Sequence, residues 1–308
     1  MTDAGPRMAR LLLLISTPRA GSTNLEQLLR RFERVETFGE IFHPTGGTGS
    51  RQAAAFLDFL GLDYGGDVSH ARAAARAVVR SDPVEACGQL LRKTAARGAA
   101  VAEVKLFAGF LRSRVLDAVL ERYRPVCVRL HRTPIDAFIS YEKARMVGVW
   151  RSVDTTGLRP RISARDFGFW RWKQQNFYQM TDYLMARNGI APIELGYEEF
   201  YRDGGDPGRL RDILAAEGLD IGQPGRGRAL ERQDRGRDRA EKVANWDAFL
   251  EDYRRRAPEA ALTSWRFKGS RAALWAQLQA ERVLPSRAMR RVATRVYPIV
   301  EEAGMVRA

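Results

Sequence analysis

LLLLISTPRAGSTNLEQLL, residues 11–29, sets an apolar run before a short polar loop and then resumes with leucines at helical spacing. Residues 10–16 read as a buried strand, and Gly21 to Arg31 as a helix with Leu25, Leu28 and Leu29 on its inner face. A strand that turns through glycine into a helix makes an anion cradle, because the first helix amides and the helix dipole both favour negative charge. The loop of nucleoside-triphosphate enzymes reads G-x-x-x-x-G-K-[ST], its lysine reaching the outer phosphates and its hydroxyl holding magnesium. Here Ser16 replaces the first glycine, and Gly21 is followed by Ser22 and Thr23 with no lysine. The charge beside the cradle comes from Arg19, whose planar guanidinium suits bidentate contact with a phosphate or sulfonate.

Outward from this loop, strand and helix patterns alternate. VETFGEIFHP (35–44) predicts a second short strand running into a loop, VAEVKLFAGF (101–110) a third strand, PVCVRLHR (125–132) a fourth and IAPIELGYEEF (190–200) a fifth. Helices are expected over 51–60, 83–96 and 164–188, the last closed by Gly189. Thr133, Pro134 and Asp136 predict a helix start, with N-cap, N1 proline and the acid of a capping box. The alternation implies an α/β fold: a P-loop-like central parallel sheet flanked by helices, followed by a mostly helical C-terminal extension rich in arginine.

In such sheets ligands sit beyond the carboxyl ends of the strands. Arg132 ends the fourth strand, and Ser140 follows eight residues later in the second turn of the next helix. Both fall on the side where Arg19 stands, so two separate anion clamps are expected. That suits a ligand phosphorylated at two places better than a linear triphosphate.

The two segments together resemble the sulfotransferases that use 3′-phosphoadenosine 5′-phosphosulfate (PAPS). TPRAGSTNLEQLL is similar to their 5′-phosphosulfate loop, P-[KR]-x-G-[ST], and RLHRTPIDAFISYEKA to their 3′-phosphate segment, with its arginine and serine eight residues apart. FGEIFHP, KARMVGVW, PIELGYEEF and ERQDRGRDRAEKVANW extend the likeness toward the bacterial carbohydrate enzymes of the trehalose and nodulation-factor type. The resemblance implies a sulfotransferase domain over residues 1–255, with residues 256–308 a basic helical extension packed on it.

It also implies roles. Arg19, Ala20, Gly21, Ser22, Thr23 and Asn24 would hold the phosphosulfate, Arg132 and Ser140 the 3′-phosphate, and Arg232 with Gln233 a lid over the nucleotide. Trp246 would pack on adenine. Glu40 is the expected base, with His43 as its competitor because its ordinary pKa is close to working pH. Arg19 would also carry the charge developing on the leaving group. Lys105, Arg145 and Trp150 would face the acceptor, a carbohydrate, glycolipid or other hydroxyl compound, although a salt-bridged Lys105 fits the sequence equally. No metal is expected.

Composition bounds the alternatives. The formal charge is +14, with 45 arginines against six lysines, which points to an anionic partner. Cys87 and Cys127 are the only cysteines, so a reduced, cytoplasmic protein is expected; the resemblance implies a bacterial one, and the basic C-terminal helices suit a peripheral contact to an anionic membrane. A P-loop kinase lacks its lysine here. A basic nucleic-acid or membrane-binding protein would need nothing special at Arg19, and no nucleic-acid partner is expected.

Overall fold

The computed structural model describes residues 8–43, 50–150, 153–201, 205–227 and 238–283. Arg232 and Gln233 lie outside them. The elements run β1 (Arg10–Ser16), α1 (Ser22–Leu29), β2 (Val35–Thr37), α2 (Ser50–Leu60), α3 (Val68–Ser81), α4 (Pro83–Ala96), β3 (Val101–Leu106), α5 (Ser113–Tyr123) and β4 (Val126–His131). They continue through α6 (Pro134–Val147), α7 (Ala164–Arg187), β5 (Ile193–Gly196), α8 (Tyr197–Phe200), α9 (Pro207–Ala216), α10 (Arg239–Lys242), α11 (Trp246–Arg256) and α12 (Arg271–Val283). Every strand pairing is parallel, in the order β2-β3-β1-β4-β5.

The central strand explains the opening apolar run. Leu11 to Ile15 are completely buried, as a parallel strand covered on both faces must be. Leu11, Leu13 and Ile15 pack with α2, α3, α4, α5, α7 and α12, while Leu12 and Leu14 meet α1 and α9 on the opposite face. A third cluster joins α6 to α7 and α11 through Phe138, Phe167, Trp170 and Phe249. Each such side chain contributes about 1.5–3 kcal/mol by leaving water.

Three sequence expectations are corrected. The third strand stops at Leu106, and residues 107–110 turn, with Phe110 N–H on Phe107 O and Gly109 at φ 86°. GYEEF leaves strand geometry at Tyr197 and forms α8. Thr133 is the N-cap of α6 but no capping box forms: its side chain makes no cap bond, Arg239 holds the Asp136 carboxylate bidentately, and the Thr133 amide donates to Glu198 Oε1 at 3.0 Å instead. The sequence reading passed over α3, whose Ala71, Ala75 and Val79 form a weak apolar stripe. No helix among the described residues is long and apolar enough to cross a membrane.

Candidate active site

The parallel sheet brings the loops after β1, β2, β3 and β4 to one edge. Gly21 is the N-cap of α1 at φ 94°, with no side-chain cap, so the amides of Ser22 and Thr23 belong to the unsatisfied first turn. Asn24 is already engaged, its amide donating to Gly21 O at 3.0 Å. Glycine is needed twice over at Gly21. Its φ disfavours side chains, and a Cβ there would stand 2.5 Å from the Tyr197 ring. Ala20 is fully buried beneath the loop, its amide on Thr17 O at 3.3 Å.

Arg19 adopts φ 70°, a left-handed conformation uncommon outside glycine. Its Nε donates to Ser140 Oγ at 3.1 Å, and Nη1 donates to the Trp150 carbonyl. Arg132 closes the ring from the other side: Nη1 donates to Arg19 O at 3.1 Å, and the guanidinium lies 4.6 Å from the centre of the Tyr197 ring. Burial, and then the charge of Arg132, lowers the Arg19 pKa below the usual arginine range. Arg132 Nε is buried without a hydrogen-bond partner. Two neighbouring cations, an orphaned N–H and open helix amides together make a cradle suited to more than one negative charge.

The acid side of the site stands on β3. Lys105 Nζ is 2.5 Å from Glu26 Oε2 and 3.8 Å from Glu40 Oε1, with only 3% of its side chain exposed. Lys105 is thus salt-bridged, the second of the two sequence readings. Glu40 is the more open carboxylate, at 29% exposure. His43 follows it in a turn, its amide on Glu40 O at 3.0 Å and its ring edge-on to Phe110 at 5.0 Å. Burial holds the His43 pKa below its ordinary value, against the opposing effect of Glu40.

Other expected positions separate from this group. Arg145 pairs with Glu142 at 3.1 Å and is 68% exposed. Trp150 contributes its carbonyl to Arg19, while its ring tilts against Tyr141 at 5.4 Å. Trp246 stacks on Phe249 in the third cluster, and the adjacent Asn245 exchanges two hydrogen bonds with the Ile162 backbone. The VANW element is therefore an anchor for the chain entering α7. Sequence reasoning missed Glu26, Glu103 and Tyr197. Glu26 lies on the polar side of a helix pattern, Glu103 interrupts a strand, and Tyr197 fell within a predicted strand.

The molecule is thus a parallel α/β protein with an anion cradle assembled from the loops after β1 and β4. No protein-family model and no curated protein matches the chain. Among solved structures it is similar to the sulfotransferase domain of the olefin synthase from Synechococcus PCC 7002, at 14% identity and a TM-score of 0.44 over 92% of this chain and 99% of that one. It is also similar to sulfotransferase STF9 from Mycobacterium avium, at 15% identity and a TM-score of 0.35 over 90% of this chain and 76% of that one.

Proposed function

We propose that the protein is a sulfotransferase that takes a sulfonate from PAPS and places it on a hydroxyl of a carbohydrate or glycolipid acceptor. One observation carries this reading: Arg132 Nη1 reaches the backbone of Arg19, joining the two predicted anion clamps at one uncapped helix N-terminus. The amides of Ser22 and Thr23 with Arg19 would hold the 5′ end, and Arg132 with Ser140 the 3′-phosphate. When bound, PAPS supplies the sulfonate and its phosphate leaving group.

The remaining work belongs to this chain. Arg19 offsets charge at the leaving oxygen, which accelerates transfer to the extent that the contact strengthens in the transition state. Glu40 accepts the acceptor's hydroxyl proton. A cleft of about 830 Å³ beside the edge strand β2, lined by Thr23, Glu26, Arg30, Phe38 and Arg51 among others, borders both the cradle and the Lys105 cluster and gives the acceptor room to enter. Ser140 must exchange its hydrogen bond with Arg19 for one to phosphate.

Adenosine 3′,5′-bisphosphate should raise the melting temperature, with about 2.7 kcal/mol of stabilisation at one hundred times its Kd. Arg132→Ala should abolish the shift. An unchanged melting temperature of the parent protein at millimolar ligand would refute the reading.

A further inference from the structure

Strand alternation places Glu103 and Lys105 on one face of the sheet. Their β1 partners, Leu12 and Leu14, belong to the cluster that α1 covers. On that face Lys105 bridges Glu26 and Glu40, and Glu26 Oε1 accepts from Arg30 Nη2 at 2.7 Å. Glu103 is fully buried beside them. Its Oε2 accepts the Gly39 amide at 3.4 Å, and its Oε1 has no hydrogen-bond partner. The turn at Gly39 is clamped to β3 by Phe38 N–H on Glu103 O at 2.9 Å and by Lys105 N–H on Gly39 O at 2.8 Å. A Cβ at Gly39 would stand 3.3 Å from both carboxylate oxygens of Glu26.

We propose that Glu103 is the positioning residue for the turn that presents Glu40, acting through the Gly39 amide and through its competition with Glu40 for the charge of Lys105. The functional half of this inference rests on the reading of Glu40 as the base. Three carboxyl groups, Glu26, Glu103 and Glu40, share the charges of Lys105 and Arg30, and the neighbouring β1 side chains, Leu12 and Leu14, are apolar.

Burial first, and then Glu26, pushes the Glu103 pKa up to about 8. At neutral pH Glu103 therefore holds its proton, which leaves Lys105 to Glu26 and Glu40 and the turn closed. Ionised Glu103 is disfavoured in the closed, buried turn, so rising pH favours openings that bring its carboxylate to water, and the turn loosens as pH climbs toward about 8. During transfer the acceptor's O–H bond breaks and Glu40 takes the proton; Glu103 neither gives nor receives one.

Amide hydrogen exchange at Gly39 and Lys105 in the intact protein, corrected for intrinsic rates, tests this from about pH 6 to about pH 9. Protection in the parent protein should fall, by up to about tenfold per pH unit, as pH rises from about 6 toward the Glu103 transition and level off above it, because the opened turn returns Glu103 to an ordinary carboxyl pKa, whereas Glu103→Gln and Glu103→Met should show no such fall. Should neither variant fold, the carboxyl ¹³C titration of Glu103 in the parent protein replaces them: its midpoint must coincide with the pH at which the fall in protection levels off. Protection that is level across this range, or that falls equally in the variants, overturns the proposal. Adenosine 3′,5′-bisphosphate should shift the melting of Glu103→Gln as it does the parent. If it shifts neither, the sulfotransferase reading fails while the exchange titration still decides the role of Glu103.

Discussion

Gly21 concentrates two demands in one residue: a positive φ and a ring face where a side chain would project. Replacing it with alanine forces either Tyr197 or the loop to move. The Tyr197 ring also stacks against Arg132, so both clamps should be disturbed together. We expect Gly21→Ala to lower stability by about 1–3 kcal/mol and to remove the melting shift with adenosine 3′,5′-bisphosphate; a variant that keeps the full shift would contradict this account of the loop. Glu40→Gln makes the complementary prediction. It leaves the cradle intact, so the shift should persist while transfer from radiolabelled PAPS to a cell lysate drops by about a hundredfold or more. Arg19, Arg132 and Ser140 were legible because each lies within a few residues of a turn with a recognisable spacing. Glu26 and Glu103 were not, since their burial arises only when α1 crosses over β3, and a lone acid in either pattern looks like a solvated one.

At the scale of elements, the five strands and the helix after β1 could be read from apolar runs and breaker residues alone. The misreadings came where local chemistry met a tertiary partner. Asp136 has the spacing of a capping acid, yet Arg239 takes it at 2.9 and 2.8 Å and so ties α10 to the start of α6. The hydrogen bonds that Arg239 donates to Asp136 are the leading cause that raises the Arg239 pKa. Asp136→Asn should cost about 1 kcal/mol, the upper range for a partly exposed pair. It should also increase hydrogen exchange in α10 without changing exchange in α7. Equal exchange in α10 before and after the substitution would show that the pair does not hold that helix.

Across the whole molecule, the segment beyond residue 256 reaches back to the site. Trp265 Nε1 donates to Arg132 O at 2.7 Å, Phe267 lies 4.3 Å from the Arg129 guanidinium, and Glu281 receives both the amide and the hydroxyl of Ser113. Leu274 and Leu278 are buried in the main core. That the segment packs on the domain was expected, but its individual contacts could not be read from the sequence, where it shows as basic amphipathic helix and its partners are distant in the chain. The consequence is that a basic tail, expected to meet membranes, also supports the carbonyl of Arg132, the arginine proposed to bind the 3′-phosphate. Trp265→Phe keeps an aromatic ring, though a smaller one, and removes the donor, leaving the Arg132 carbonyl without it at a cost of about 1–3 kcal/mol before any loss of packing. If that bond sets the orientation of Arg132, the melting shift with adenosine 3′,5′-bisphosphate should shrink more than the melting temperature of the free protein falls. A variant with lowered stability and an undiminished shift would instead confine Trp265 to packing and leave the orientation of Arg132 to Tyr197 and the Arg19 carbonyl.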